Sequence, residues 1–204
     1  MAEETDHILE LIRLTSTNLP EDIEAVLKTA REEEADGSAA QGVLQSIQEN
    51  IHISRETSTP ICQDTGTPIF YVRYPASCST KKLTNAIREA VAEATKKLYL
   101  RPNAVDGLTG RNSGNNLGGK HYPTIHFEEV DEEILTIDLL LKGGGCENVG
   151  RQYSLPDSRL HAGRDLEGVR KVALDAVFQA QGRGCAPGFL GIAIGGDRGT
   201  SYLA

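Results

Sequence analysis

The chain has 204 residues and a formal net charge of −8, with an isoelectric point near 5.2. This length suffices for one sizeable domain or two small ones, and the acidic balance argues against a nucleic-acid-binding protein, which needs a basic face. A small anionic substrate remains compatible with this charge, because a few local arginines can outweigh a global deficit. The sequence has neither an apolar run of eighteen residues nor an apolar signal core near its N-terminus. We therefore expect no membrane span and a cytoplasmic location.

The N-terminal part of the chain shows the three-to-four-residue spacing that is typical of amphipathic helices. Residues 5–14 predict a first helix, Pro20 opens a second that extends to about Glu34, and a third follows Asp36-Gly37. We predict that the following residues form the buried faces of these helices: Ile8, Leu11, Ile12, Ile23, Val26, Leu27, Val43, Leu44, Ile47 and Ile51.

A strand and a long helix are predicted in the middle of the chain. Residues 69–74 are rich in β-formers and are closed by Pro75, a pattern that predicts a strand. Thr80 begins a helix that extends to about Leu100, because Pro102 prevents its continuation. The predicted buried face of this helix comprises Leu83, Ile87, Val91, Ala94 and Leu98.

The second half of the chain predicts a further loop, a hairpin, a helix and a strand. Residues 103–119 are rich in Asn and Gly and predict a loop, which suits either an anion or a flexible connection. Alternation over residues 122–130 and 134–141 predicts a β-hairpin. Asp165 can cap a helix that extends to about Gln181, and residues 189–194 predict a strand. The predicted buried face of that helix comprises Leu166, Val169, Val172, Ala173, Ala176 and Val177.

Together these elements predict a mixed α/β fold of the α+β type. A helical N-terminal part precedes a small sheet packed with helices, and we expect residues 1–204 to form a single domain.

Three of the four cysteines lie in loops that are rich in proline or glycine. Cys62, Gln63 and Asp64 are consecutive between Pro60 and Pro68, which predicts a stiff loop with a soft metal ligand beside two hydrogen-bonding groups. A turn with an incidental cysteine would give the same local pattern. Cys146 follows three glycines, Cys185 lies in a proline loop, and we predict that Cys78 is inert.

Arg101 lies where the long helix is predicted to end. Its side chain could complement the negative end of the helix dipole, or it could present a guanidinium to an anion. His121, His126 and His161 lack ligand-like spacing, so we interpret them as surface or strand residues.

Three motifs in this order resemble the α-subunit of class I, iron–sulfur fumarate hydratases and the related L-tartrate dehydratase α-subunit. They are residues 60–67 (PICQDTGT), residues 142–148 (KGGGCEN), and residues 184–188 (GCAPG) followed by a double glycine. The resemblance covers the chain from its N-terminal helices to its last residue.

The resemblance implies a 4Fe–4S cluster held by three cysteines, with one iron open to the substrate. Cys62 and Cys185 match the first two ligands. The third ligand of the family lies farther along the α-region than residue 204, so the chain resembles the front part of an α-subunit. Cys146 stands where the family commonly has serine.

The resemblance also implies substrate contacts and a partner. Gln63 and Asp64 would contact the carboxylate and hydroxyl of the substrate, Arg101 would bind a carboxylate, and Gly145 would offer its backbone. Asp64 could also donate a proton to the departing hydroxide. The proposed base of the family is a threonine of the β-region, so a β-subunit is expected as the partner.

Two other hypotheses stay open from the sequence. The chain could be a non-catalytic module that keeps the fold and binds an anion or a partner without a cluster. A zinc site built from Cys62, Cys146 and Cys185 is a more distant alternative.

Overall fold

The computed structural model describes residues 2–119 and 121–203 and divides the chain into two compact units, Met1–Gly143 and Gly144–Ala204. The first unit contains α1 (Ala2–Thr17), α2 (Glu21–Glu33), α3 (Ala39–Thr57), β1 (Thr67–Pro75), α4 (Thr80–Lys96), β2 (Thr124–Val130) and β3 (Thr136–Lys142). The second contains α5 (Gly144–Glu147), α6 (Leu166–Ala180) and α7 (Thr200–Leu203). The predicted α+β class is confirmed, and the single domain over residues 1–204 stays a prediction.

Side-chain caps explain where several helices begin. Ser38 Oγ accepts a hydrogen bond from Gln41 N at the start of α3, and Ser79 Oγ accepts one from Lys82 N at the start of α4. Asp165 Oδ1 accepts a bond of 2.7 Å from Gly168 N, so the predicted cap of α6 is confirmed. Every helix among residues 2–119 and 121–203 is too short or too polar to traverse a lipid bilayer.

The sheet has three strands in the order β2-β1-β3, with β1 parallel to β2 and antiparallel to β3. Both strands of the predicted hairpin exist, but the hairpin itself is wrong, because β2 and β3 each pair with β1. Alternation along a strand identifies its two faces and leaves its partner undefined. The apolar β1, with Phe70 and Val72 almost fully buried, is the central strand and pairs with a neighbouring strand on each side.

This topology brings three chain segments to one edge of the sheet. Thr67 at the start of β1 lies opposite Lys142 at the end of β3, and β2 starts at the same edge because it runs parallel to β1. The loops that precede β1 and β2 therefore meet the end of β3 there.

The main core of the first unit lies between α1, the sheet and α4, and a smaller cluster joins α2 to α3. The main core contains Ile8, Ile12, Phe70, Val72, Leu83, Ala86, Ile87, Ala90, Val91, Ala94 and Leu100. The smaller cluster contains Leu27, Leu44 and Ile51. The predicted buried residues that these two clusters confirm are all in α1–α4: Ile8, Ile12, Leu27, Leu44, Ile51, Leu83, Ile87, Val91 and Ala94.

Some residues that the helical spacing placed inside are exposed. The spacing defines a face without defining how much of that face another element covers, and α2 and α3 cover only part of each other. The helix α4 also ends at Lys96, earlier than predicted, and Leu98 has a positive φ of 65° in the turn that follows. The exposed residues that were predicted to be buried are Val26, Val43, Leu98, Leu166 and Val177.

Two predictions for the second unit are wrong. Residues 189–194 form no strand, and their large side chains (Phe189, Leu190, Ile192 and Ile194) are more than half exposed. A strand needs a neighbour for its backbone groups, and the described residues of this unit contain none. The glycine segment predicted as a loop contains one helical turn, α5.

Replacing Ile87, which is fully buried in the main core, should test whether this core stabilises the first unit. We expect Ile87→Ala to lower the free energy of unfolding by about 2–5 kcal/mol, because the cavity adds to the lost burial. Val43→Ala, on the exposed side of α3, should change it by no more than about 0.5 kcal/mol. Chemical denaturation followed by circular dichroism would measure both, and equal losses would contradict this assignment of the core.

Candidate functional site

The loop between α3 and β1 exposes three consecutive polar side chains, those of Cys62, Gln63 and Asp64. Hydrogen bonds join its backbone to the helices α1 and α3. Ile61 N donates to Ser16 O at 2.9 Å, and Asn50 Nδ2 donates to Ile61 O at 2.8 Å. The predicted loop is confirmed, and the Cys62 thiol is free and exposed.

Gly66 allows this loop to approach the end of β3. It has a positive φ of 69°, and a Cβ at this position would lie 2.1 Å from Lys142 O and 2.5 Å from Gly143 N. Any side chain would therefore collide with the backbone there. This contact fixes the Cys62 loop beside the first residues of the glycine-rich motif.

The carboxylate of Asp64 is oriented by groups from two loops. Its Oδ1 accepts hydrogen bonds of 2.9 Å from Gly66 N and from Asn103 Nδ2. The neighbouring Thr65 Oγ1 accepts from Arg101 N at 3.1 Å and from Asn103 Nδ2 at 3.4 Å. The structure thus brings Asp64 and Arg101 into one hydrogen-bonded network.

Asn116 holds that network from inside the protein. This residue is 1% exposed, and its Oδ1 accepts from Asn103 N at 2.7 Å and from Ala104 N at 3.1 Å. Its Nδ2 donates to Arg101 O at 2.7 Å and to Thr95 Oγ1 at 2.9 Å. These four bonds use the full capacity of the amide, so the loop that carries Arg101 is fixed to the last turn of α4.

Asn103 and Asn116 are not predicted as site residues, because in the sequence they belong to one Asn- and Gly-rich stretch, residues 103–119, without a pattern that distinguishes them. One available signal was the tolerance of Asn for a left-handed backbone, which Asn116 adopts with a φ of 58°.

The guanidinium of Arg101 is exposed and makes no hydrogen bond or ion pair with any residue that the structure describes. Its backbone, in contrast, is held on both sides by Thr65 and Asn116. Because α4 ends at Lys96, Arg101 lies outside the last turn, where the helix dipole has little effect. The arrangement favours the interpretation in which Arg101 presents its charge to an anion.

Tyr122 is a further residue near this site that the sequence did not indicate. Its hydroxyl donates to Gly66 O at 2.9 Å. Burial raises the pKa of Tyr122 above its usual value, a hydrogen bond with Thr67 opposes that shift, and the charge of Asp64 adds to it. Tyr122 therefore stays a neutral donor at physiological pH beside the Asp64 loop.

The second unit brings Cys185 against α5. A Cβ at Gly145 would lie 2.8 Å from Cys185 Sγ, and one at Gly184 would lie 3.0 Å from a methyl carbon of Val149. Both glycines thus make room for the approach of these two segments. The Cys185 thiol is free and exposed, as is that of Cys146, the residue after Gly145.

The predicted site residues therefore fall into two sets. Cys62, Gln63, Asp64 and Arg101 belong to the first unit, and Gly145, Cys146 and Cys185 belong to the second. Within residues 2–119 and 121–203, no three His, Cys, Asp or Glu side chains form a group that could hold a metal ion. The convergence of Cys62 with Cys185 stays a prediction.

Removing the Asn116 amide should destabilise the first unit, because the Asn103 and Ala104 N–H groups, the Arg101 carbonyl and the Thr95 hydroxyl, which are buried or partly buried, would each lose a hydrogen bond. We expect Asn116→Ala to lower the free energy of unfolding by at least about 2 kcal/mol, since each unpaired buried group costs about 1–3 kcal/mol. Asn115→Ala is the control, because among the residues that the structure describes the side chain of the exposed Asn115 bonds with Leu117 N alone, through Oδ1. It should cost no more than about 1 kcal/mol by circular dichroism-monitored denaturation, and a similar loss in both variants would argue against the role of Asn116.

Comparison with known proteins identifies named relatives of this chain. The chain is 46% identical over 200 residues to a Geobacillus stearothermophilus protein provisionally named a class I fumarate hydratase, covering 97% of the chain and 39% of that protein. It is 33% identical to a Methanocaldococcus jannaschii protein provisionally named an L(+)-tartrate dehydratase α-subunit, covering 94% and 67%. The L(+)-tartrate dehydratase α-subunit of Escherichia coli K12 is 28% identical, covering 93% and 61%.

The chain thus spans between 39% and 67% of the length of these three relatives. Residues 5–204 match the sequence profile of the family described as fumarate hydratase (Fumerase). The resemblance inferred from the three motifs is confirmed, and the chain belongs to the fumarate hydratase (Fumerase) family.

Proposed function

We propose that the chain is the α-chain, or a part of the α-chain, of an iron–sulfur hydro-lyase. This enzyme would reversibly add water to, or remove water from, a dicarboxylic hydroxy acid, with fumarate and malate as the first choice. The observation that carries the proposal is one network that orients the Asp64 carboxylate and holds the backbone of Arg101 while its guanidinium stays exposed. Membership of the family supports the reaction class.

Arg101 is the residue we propose for binding a substrate carboxylate. A guanidinium can bind a carboxylate through two parallel hydrogen bonds, which fix its orientation as well as its position. The bonds from Thr65 and Asn116 hold the Arg101 backbone before the substrate arrives. Little conformational freedom of the backbone would then be lost on binding.

Asp64 is the residue we propose for proton transfer to the departing hydroxyl, and Gln63 would hydrogen-bond the substrate beside it. A general acid must have a fixed orientation to be effective, and the bonds from Gly66 and Asn103 provide it for Asp64. Gly145 would offer its backbone to the substrate from the second unit.

The cofactor we propose is a 4Fe–4S cluster with Cys62 and Cys185 among its ligands. Both thiols are free and exposed, and thiolates are the usual ligands of such clusters. The contact between Cys185 Sγ and the backbone at Gly145, where a Cβ would intrude, is consistent with a sulfur kept in a defined position. When bound, a cluster with an open iron supplies a Lewis acid for the substrate hydroxyl.

We further propose a β-subunit as the partner, because two of the relatives are named as α-subunits. The chain would act in the cytoplasm, and hydration of fumarate would place it in the tricarboxylic acid cycle. Tartrate is the second candidate substrate, favoured by the names of those same relatives. The higher identity to the relative named a fumarate hydratase makes fumarate the first choice.

The cluster can be tested by anaerobic reconstitution followed by iron and sulfide analysis. We expect Cys62→Ser and Cys185→Ser each to lower bound iron and sulfide markedly, because each removes a thiolate ligand. Cys78→Ser is the control, since Cys78 packs against the main core of the first unit and should leave the content unchanged. Absence of iron and sulfide from the unmodified chain would instead favour the non-catalytic module.

The role of Arg101 can be tested in a hydration assay with the reconstituted chain in the presence of its β-subunit. We expect Arg101→Ala to lower kcat/KM for fumarate by about ten- to hundredfold, the value of a charged hydrogen bond. Arg111→Ala removes a second exposed arginine from the same connection between α4 and β2 and should leave kcat/KM near that of the parent.

The same assay run with L-tartrate separates the two candidate substrates.

We expect the chain to be inactive without the β-subunit, so full activity of the isolated chain would contradict the proposal that both subunits are needed for the reaction.

A further inference from the structure

We propose that Cys146 and Cys185 are an oxidative modification site, at which a peroxide converts the two thiols into a reversible intramolecular disulfide. This inference goes beyond the hydro-lyase proposal, because the disulfide needs no cluster. Only its consequence for the cluster, given below, rests on the proposed function.

The geometry of the second unit brings the two cysteines to neighbouring positions. A Cβ at Gly145 would lie 2.8 Å from Cys185 Sγ and 3.9 Å from Cys185 N, so the sulfur touches the backbone of α5. Cys146 is the next residue of that helical turn, and consecutive Cα atoms are about 3.8 Å apart. A disulfide requires Cα atoms within about 7 Å of each other, and the contact of Cys185 with the residue before Cys146 places the two cysteines in adjacent segments, which form the bond after an adjustment of their backbones.

Both segments can make that adjustment. Cys146 lies in a single helical turn, of which Gly144 and Gly145 form the first half. Cys185 follows Gly184 in a stretch without regular secondary structure. Glycine permits backbone changes that other residues resist, and both thiols are exposed, so rotation about their χ1 angles is unhindered by a core.

The remaining two cysteines are poorer partners. Cys78 is half-buried and packs against the main core of the first unit, which restricts access to its sulfur. Cys62 is exposed, but it belongs to the first unit, whose loop is tied to Ser16 and Asn50. Access favours Cys146 and Cys185 over Cys78, and the contact of Cys185 with Gly145 favours the adjacent Cys146 as its partner.

The reaction balances with a peroxide as the oxidant. One thiolate attacks a peroxide oxygen, so that an S–O bond forms, the O–O bond breaks and, with hydrogen peroxide, the first water leaves. The second thiolate attacks the resulting sulfenic acid, so that the S–S bond forms, the S–O bond breaks and a second water leaves. The two thiols together lose two electrons and two protons, and a small thiol reductant reverses the change.

If Cys185 is a cluster ligand, this disulfide would occupy its sulfur while no cluster is bound. The sulfur would then be held in a reversible state, because a disulfide can be reduced, whereas sulfinic and sulfonic acids form irreversibly. Cys146 would act as the resolving thiol that protects the ligand. This role would also explain the presence of a second exposed thiol next to Gly145.

The test uses the intact, reduced chain without a cluster, treated with hydrogen peroxide, blocked with iodoacetamide and digested with trypsin without reduction. The positions of Lys and Arg place each cysteine in its own tryptic peptide: residues 56–73, 74–81, 143–151 and 184–198. We expect mass spectrometry to find peptide 143–151 linked to peptide 184–198, and the link to disappear with dithiothreitol. A non-reducing gel should show that the oxidised chain stays a monomer.

Matched variants make the result specific. Cys146→Ser should lose the linked peptide and accumulate sulfinic acid at Cys185, whereas Cys62→Ser should keep the link. The proposal is overturned if Cys185 links to residues 56–73, if the link joins two chains, or if Cys185 is over-oxidised equally in the parent and in Cys146→Ser. None of these readouts depends on iron, so failure of cluster reconstitution would leave this inference standing, and the reverse also holds.

Discussion

The side-chain amide of Asn116 is the interaction on which the geometry of the first unit's site depends. It is buried and makes four hydrogen bonds, to two backbone N–H groups, one backbone carbonyl and one hydroxyl. In a low-dielectric interior such bonds are strong when all are made, and any one left unmade is costly. The loop that carries Arg101 and Asn103 is therefore rigid, although it has no regular secondary structure.

The strand order supplies the second constraint. Because β1 lies between β2 and β3, the segments around Gly66, Tyr122 and Lys142 share one edge of the sheet. The absence of a side chain at Gly66 lets two of these segments come into backbone contact, and the Tyr122 hydroxyl joins the third to them. A β2–β3 hairpin would not have placed all three segments around the same strand.

The positive charge that Arg101 exposes is opposite in sign to the net charge of the chain. The net charge of −8 would repel an anion on average, yet the exposed Arg101 guanidinium has no carboxylate partner among the residues that the structure describes. At short range one unneutralised arginine can dominate the field that a small dicarboxylate experiences, since distant charges are screened by salt. In the second unit, the absence of a side chain at Gly145 lets the Cys185 thiol contact the backbone, as the absence of one at Gly66 allows a backbone contact in the first unit.

By itself, the sequence determined the features that depend on neighbours in the chain. The spans of the main helices, the Asp165 cap, the Cys62 loop and the family could all be predicted, because periodicity, capping and short motifs are local properties. The tertiary structure alone decided that β1 is the central strand, that Val43 and Leu98 are exposed, and that Asn103, Asn116 and Tyr122 belong near the site. Each of these depends on groups distant in sequence, and no local pattern specifies which distant group will supply a hydrogen bond or cover a face.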